Sequence, residues 1–174
     1  MKTSRAVKSH KHDSPQKISI SLFTVSSSRF RDKSLKDDSG EIALQLCKRA
    51  GHKVTLEVID DDKEMIRSCV LDGLFQKEND AAITLGGTGV APRDVTIEAL
   101  RPLLEKEIDG FGEIFRLESY KSIGSAAMMS RTLAGTFRGK VVFCLPGSPD
   151  AAKIGLGLCL KELPHLVFIS RSKP

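Results

Sequence analysis

A chain of 174 residues with 40% hydrophobic and 28% charged content can bury a full core as one domain, with the composition of an ordinary soluble globular protein. No apolar run approaches a membrane span, and the basic start MKTSRAVKSHKHDSPQK lacks the apolar stretch of a secretory signal; a cytoplasmic protein is expected, with a disordered segment over residues 1–17 and one folded domain over 18–174. That segment carries a net +4 of the formal +5, so the body is near neutral, and with 5% aromatics and no Trp no specific nucleic-acid face is expected.

In chain order, KISISLFTV (17–25) is a β-rich run that ends in the polar loop SSSR. Ser39 is placed to cap a helix with Ile42, Leu46 and Cys47 at helical spacing, and Gly51 sits where a C-terminal cap belongs. KVTLEVI (53–59) is a second strand closed by Asp60, Asp61 and Asp62, one of which caps a helix carrying Met65, Ile66, Cys69, Val70 and Leu74 and ending near Asn79. AAITL (81–85) is a third strand and runs into GGTG; Thr96 then caps a helix whose face is Ile97, Leu100, Leu103 and Leu104. The segment DGFGEIF leads into a helical region around residues 120–134, KVVFCL (140–145) is a fourth strand, and PGSPD opens a last helix through about residue 163. In that opening Ser148 is the cap and Pro149 the first helical residue. Cys47, Cys69, Cys144 and Cys159 form no CxxC pair and lie in apolar stretches, as small buried side chains do; they are read as neither zinc ligands nor disulfides.

Strands alternating with helices imply a mainly parallel sheet covered on both faces, and in such folds ligands lie beyond the carboxyl ends of the strands. SSSR, DDD, GGTG and PGSP each follow a strand, so all four loops are expected on one rim. Gly86, Gly87 and Gly89 allow positive φ and close approach of backbone N–H groups to an anion, with the Thr88 hydroxyl alongside. Taken alone, GGTG is more often a plain strand-to-helix turn, and neither GxxxxGK[ST] nor GxGxxG is present. Asp94 either caps the next helix or holds Mg²⁺; with Thr96 in the capping role it is left for the metal. The Ser148 helix start attracts phosphate. Ser26, Ser27, Ser28 and Arg29, and likewise Ser130 with Arg131, suit an ordinary loop as well as a ligand. The residues alone reach a phosphate-rich, Mg²⁺-dependent ligand and do not name it.

LGGTGVAPRDVTIEA, DGFGEIFR, SRTLAG and LPGSP, in this order, resemble the motifs of the MoaB/MogA family of molybdenum-cofactor biosynthesis, over roughly residues 18–163. DDSG (37–40) and the DDD turn look like the MoaB branch. The resemblance implies a three-layer α/β/α sandwich. It also implies a homo-oligomer, trimer or hexamer with the hexamer favoured, and transient contact with a MoeA-like metal-insertion protein. The implied activity is molybdopterin adenylyl transfer: the terminal phosphate of molybdopterin attacks the α-phosphorus of Mg-ATP and pyrophosphate leaves. On matching positions Asp61 and Asp94 would be the catalytic carboxylates and the Mg²⁺ ligands. Gly86, Gly87, Thr88 and Gly89 would cradle phosphate, Ser130, Pro146, Gly147 and Ser148 would line the pterin and nucleotide site, and Ser27 and Arg29 would belong to the first loop.

Ile97 and Asp109 stand where many members have Pro, which bears on helix and turn rigidity rather than on ligands. Two rival readings are weighed against the enzyme. A pterin-binding scaffold would not need both carboxylates, and a CinA-like hydrolase would favour GGLGPT at the third strand instead of GGTGVAPRDVT.

Overall fold

A computed structural model describes residues 14–172, so residues 1–13 of the expected N-terminal segment lie outside the described residues; residues 14–17 precede the first strand without regular secondary structure. The elements are β1 (Ser19–Val25), α1 (Ser27–Arg31), α2 (Asp38–Arg49), β2 (Lys53–Ile59), α3 (Lys63–Leu71) with a π-helical turn (Asp72–Gln76), β3 (Ala81–Leu85), α4 (Thr96–Leu100), β4 (Lys106–Glu107), α5 (Asp109–Ile123) with a 3-10 turn (Gly124–Met129), β5 (Leu133–Phe137), β6 (Lys140–Leu145) and α6 (Pro149–Ser170).

The six strands form one sheet in the order β2-β1-β3-β6-β5-β4. Pairing is parallel through β2, β1, β3 and β6, and antiparallel for β5 with β6 and β4 with β5. Alternation along the strands sends Ile20, Leu22, Ile83, Leu85, Phe143 and Leu145 to one face, where they pack on Ala43 and Cys47 of α2, Phe111 of α5 and Leu156, Cys159 and Leu163 of α6. Phe23, Val25, Ala82, Val142 and Cys144 turn to the other face against Ile66 and Val70 of α3 and Ile97 and Leu100 of α4. All five residues of β3 are buried because helices cover both of its sides. The result is the expected three-layer α/β/α sandwich with a mainly parallel sheet. Cys47, Cys144 and Cys159 are buried as expected and Cys69 is half-buried; burial pushes the Cys47 thiol up to about 11 and that of Cys144 up to about 12.

The structure corrects several local expectations. Asp37, not Ser39, caps α2: its carboxylate accepts from Gly40 N–H at 3.0 Å and from the Thr24 hydroxyl at 2.6 Å, so one side chain ties the helix start to the end of β1. Ser39 is buried within the first turn. Val95 precedes α4, and Thr96 is its first residue with a hydroxyl directed elsewhere. Helix α5 begins at Asp109, inside the glycine-rich segment expected to be a connector, because Phe111 and Phe115 fall one turn apart; both are buried, Phe111 edge-on to Phe143 at 4.9 Å. Leu133 and Ala134, expected at the end of a helical region, open the strand β5 instead. Helix α6 continues past residue 163 to Ser170 with Pro164 inside it, since burial of Leu163 and Val167 outweighs the backbone bond that proline removes.

Candidate active site

The register of the parallel strands decides where the loops go. Val25 pairs with Ile59, Thr24 with Leu85 and Leu85 with Leu145, so four strands end at one level. Backbone bonds stitch the loops there: Ser26 N–H donates to Ile59 C=O at 2.9 Å, and Gly86 N–H to Leu145 C=O at 2.9 Å. The four loops named from the sequence therefore meet on one rim.

The loop after β3 turns at Gly86 and Gly87 with φ of 105° and 61°, values that only glycine adopts without strain. A Cβ on Gly86 would strike the Val25 carbonyl, and a Cβ on Gly147 would lie 3.1 Å from Gly86 Cα, so the loops after β1, β3 and β6 touch backbone to backbone. Thr88 is buried. Both carboxylates flank this loop. A Cβ on Gly87 would lie 3.1 Å from Asp61 Oδ1, and one on Gly89 would lie 2.6 Å from Asp94 Oδ2. Residues two apart span at most about 7 Å, so Asp61 and Asp94 face one short stretch of backbone from either end.

Each carboxylate is oriented by the backbone. Asp61 Oδ2 accepts from Ser27 N–H at 2.7 Å and Asp94 Oδ2 from Ala91 N–H at 2.9 Å; for both, Oδ1 has no hydrogen bond among the described residues. The neighbouring aspartates serve the scaffold. Asp62 caps α3 through Met65 N–H at 2.8 Å. Asp60 accepts the Ser27 hydroxyl, the main cause holding its carboxyl below the usual range. Ser27 thus spends its polar groups on Asp60 and Asp61. Arg29 bonds Lys36 C=O at 2.9 Å and pairs with Asp37 at 4.0 Å, toward the start of α2 rather than the glycine loop.

Two cavities adjoin on this rim. One, of about 340 Å³, is lined by residues 86–89, Asp94, Met129, Ser130, Arg131, Pro146 and Gly147. The other, of about 330 Å³, is lined by Ser119, Ser122, Ser130, Ser148, Lys153 and Phe115 among others; Ser130 and Pro146 belong to both. Ser148 caps α6 through Ala151 N–H at 3.2 Å. Of the sequence-derived candidates, Gly86, Gly87, Thr88, Gly89, Asp94, Ser130, Pro146, Gly147 and Ser148 line one cavity or both. Asp61 stands beside the first cavity without lining it, and Ser27 reaches it only through Asp61.

Two residues gain a role that the sequence did not reveal. The Arg131 guanidinium donates from Nε to Thr88 C=O at 2.9 Å and from both terminal nitrogens to Glu98, at 2.7 and 3.1 Å. This pair holds the Glu98 carboxyl low and the Arg131 guanidinium high. Thr96 bonds the loop twice, with its hydroxyl to Gly86 C=O and its N–H to Gly87 C=O, both at 2.9 Å. Thr and Arg stand out in the RDVT and SR segments, but nothing in their spacing shows that both reach the glycine loop.

A doubly covered sheet with a glycine loop, two oriented carboxylates and a helix start on its carboxyl edge defines an α/β protein with its candidate site where such folds bind ligands. More particularly, the chain belongs to the family described as "probable molybdopterin binding domain", whose model matches residues 21–165. It is 46% identical over 166 residues to the molybdenum cofactor biosynthesis protein B of Bacillus cereus, covering 94% of this chain and 96% of the relative. To the molybdopterin adenylyltransferase of Pyrococcus furiosus it is 35% identical over 173 residues, 95% of this chain and 98% of the relative. A crystal structure of a molybdenum cofactor biosynthesis protein B matches with a TM-score of 0.84 at 44% identity, covering 92% of this chain and 100% of that one.

Proposed function

We propose that the chain is a molybdopterin adenylyltransferase of molybdenum- or tungsten-cofactor biosynthesis. It would join the terminal phosphate of molybdopterin to the α-phosphorus of ATP, with one P–O bond formed and the bond to pyrophosphate broken. The observation that carries this reading is the pair of carboxylates, Asp61 and Asp94, set against opposite ends of one glycine loop that lines the first of two adjoining cavities. Names borne by relatives at 35% and 39% identity support it.

The donor set fits Mg²⁺. Among the described residues no group of three or more His, Cys, Asp or Glu could hold a metal, and Mg²⁺ takes one or two carboxylates alongside substrate phosphate and water. Asp61 and Asp94 would hold it through their unbonded Oδ1 atoms, and the bound cation would neutralise charge developing on the phosphates. The chain's own share is positioning. Gly86, Gly87, Thr88 and Gly89 would bind the phosphate chain, while Ser130, Pro146, Gly147 and Ser148 would line the path between the nucleotide and pterin sides. Phosphoryl-type transfer needs placement and charge neutralisation, so no covalent nucleophile is required. Ser27 contributes by orienting Asp61.

A homo-oligomer, hexamer favoured over trimer, would be the assembly; the exposed apolar side chains Ile114, Leu117, Tyr120 and Ile123 on α5, with Met128 and Met129 beyond it, support a subunit interface of some kind. Transient contact with a MoeA-like metal-insertion protein would pass the activated pterin on. No helix among the described residues is long and apolar enough to cross a membrane; a cytoplasmic setting suits the reaction.

Asp61→Ala and Asp94→Ala test the site. Each is expected to keep its assembly and melting temperature while adenylyl transfer falls well over tenfold, which corresponds to more than about 1.4 kcal/mol of lost transition-state stabilisation. Turnover by Asp94→Ala at the wild-type rate would remove that carboxylate from the mechanism.

A further inference from the structure

The loop after β3 is fastened by its carbonyls. Gly86 C=O accepts the Thr96 hydroxyl, Gly87 C=O accepts the Thr96 N–H, and Thr88 C=O accepts Arg131 Nε–H, each at 2.9 Å. In a planar trans peptide the C=O and the following N–H point opposite ways. Pinning those carbonyls therefore aims the N–H groups of Gly87, Thr88 and Gly89 away from Thr96 and Arg131, and none of the three has an acceptor among the described residues. Successive N–H groups turned to one side make an anion-binding concavity. Left unpinned, any of these peptides is free to rotate and present a carbonyl, which repels phosphate.

We propose that Arg131 and Thr96 are positioning residues that hold those N–H groups as a preformed cradle for the polyphosphate of the nucleotide. Naming the anion rests on the adenylyl-transfer reading; the cradle itself follows from the hydrogen bonds. Three of the five Arg131 N–H donors are in use, Nε on Thr88 and one from each terminal nitrogen on Glu98, and it is the Nε bond to Thr88 C=O that acts on the loop. Glu98 and Thr96 both belong to α4, so one short helix supplies both pins, directly through Thr96 and through Arg131 by way of Glu98. Lysine lacks the planar fork and cannot hold both partners of Arg131 at once.

The probe is inorganic pyrophosphate with Mg²⁺, titrated calorimetrically into the intact protein and into Arg131→Lys, Glu98→Gln, Thr96→Val and Thr96→Ser, with melting temperatures alongside. Arg131→Lys and Thr96→Val are expected to bind pyrophosphate at least tenfold more weakly. Glu98→Gln should lose about threefold, and Thr96→Ser, which keeps the hydroxyl, should stay within twofold of wild type. A purely structural role would make affinity follow melting temperature and would not distinguish Ser from Val by hydroxyl chemistry. Wild-type affinity in both Arg131→Lys and Glu98→Gln, or equal loss in Thr96→Ser and Thr96→Val, overturns the proposal. A wild-type protein that binds pyrophosphate with these variant effects yet transfers no adenylyl group would instead overturn the assignment of the reaction and leave the cradle standing.

Discussion

Gly87 shows how tightly single residues set this site. Its φ is 61°, and a Cβ there would run into the Thr96 hydroxyl on one side and lie 3.1 Å from Asp61 Oδ1 on the other. Alanine would therefore carry both left-handed strain and a clash at the junction of the loop with its pin. Gly87→Ala is expected to lower unfolding free energy by about 1–3 kcal/mol and to weaken pyrophosphate binding at least tenfold, read by denaturant titration and calorimetry. Unchanged values in both would show the loop to be far more yielding than its contacts imply. At this scale the sequence located residues better than it located their jobs. The glycines and the DDD turn declare themselves by following strand ends and Asp94 by lying beyond the glycine turn, whereas Asp61 is singled out from its neighbours only by the family resemblance. Its position ahead of an apolar helical run makes Thr96 an expected helix cap, whereas its hydroxyl bonds Gly86, ten positions earlier. Arg131 gave no sign of its bond to Thr88, 43 positions away. Contacts of that kind depend on how the layers stack, which side-chain spacing does not encode.

Elements were legible where one physical signal dominated. The strands β1, β2, β3 and β6 are unbroken runs rich in β-branched or apolar residues, and the loops beyond them, forced to one edge by parallel pairing, fell where topology requires. The antiparallel extension was not legible. β4 has two residues, and β5 reads LAGTF, with a glycine in the middle that weakens any strand pattern. That glycine is needed because a Cβ on Gly135 would lie 2.5 Å from both Lys106 C=O and a Leu104 methyl, in the space where β4 crosses. The start of α5 was missed for the opposite reason. Gly110 and Gly112 read as a connector, yet burial of Phe111 and Phe115 imposes helix on the segment. In both cases tertiary packing overrode a local preference, and local preference is all that a single sequence displays.

Across the whole molecule, the face of α5 remains to be covered. Ile114, Leu117, Tyr120 and Ile123 recur every third residue and are 50 to 62% exposed, next to Met128 at 80%. Exposed apolar side chains in such number suit the proposed subunit interface, and Met129 also lines the cavity beside the glycine loop. Leu117→Asp is expected to break the proposed homo-oligomer into smaller species in sedimentation velocity without unfolding the subunit, since the side chain contributes to neither core cluster. An unchanged sedimentation coefficient would place the subunit contacts elsewhere. The most direct measurement for the molecule as a whole is the reaction itself: purified protein incubated with molybdopterin, ATP and Mg²⁺, with pterin and phosphate products identified by mass spectrometry. Adenylyl-molybdopterin and pyrophosphate in equal amounts are expected. Molybdopterin recovered bound but unmodified, or ATP converted to ADP and orthophosphate, would contradict the assignment.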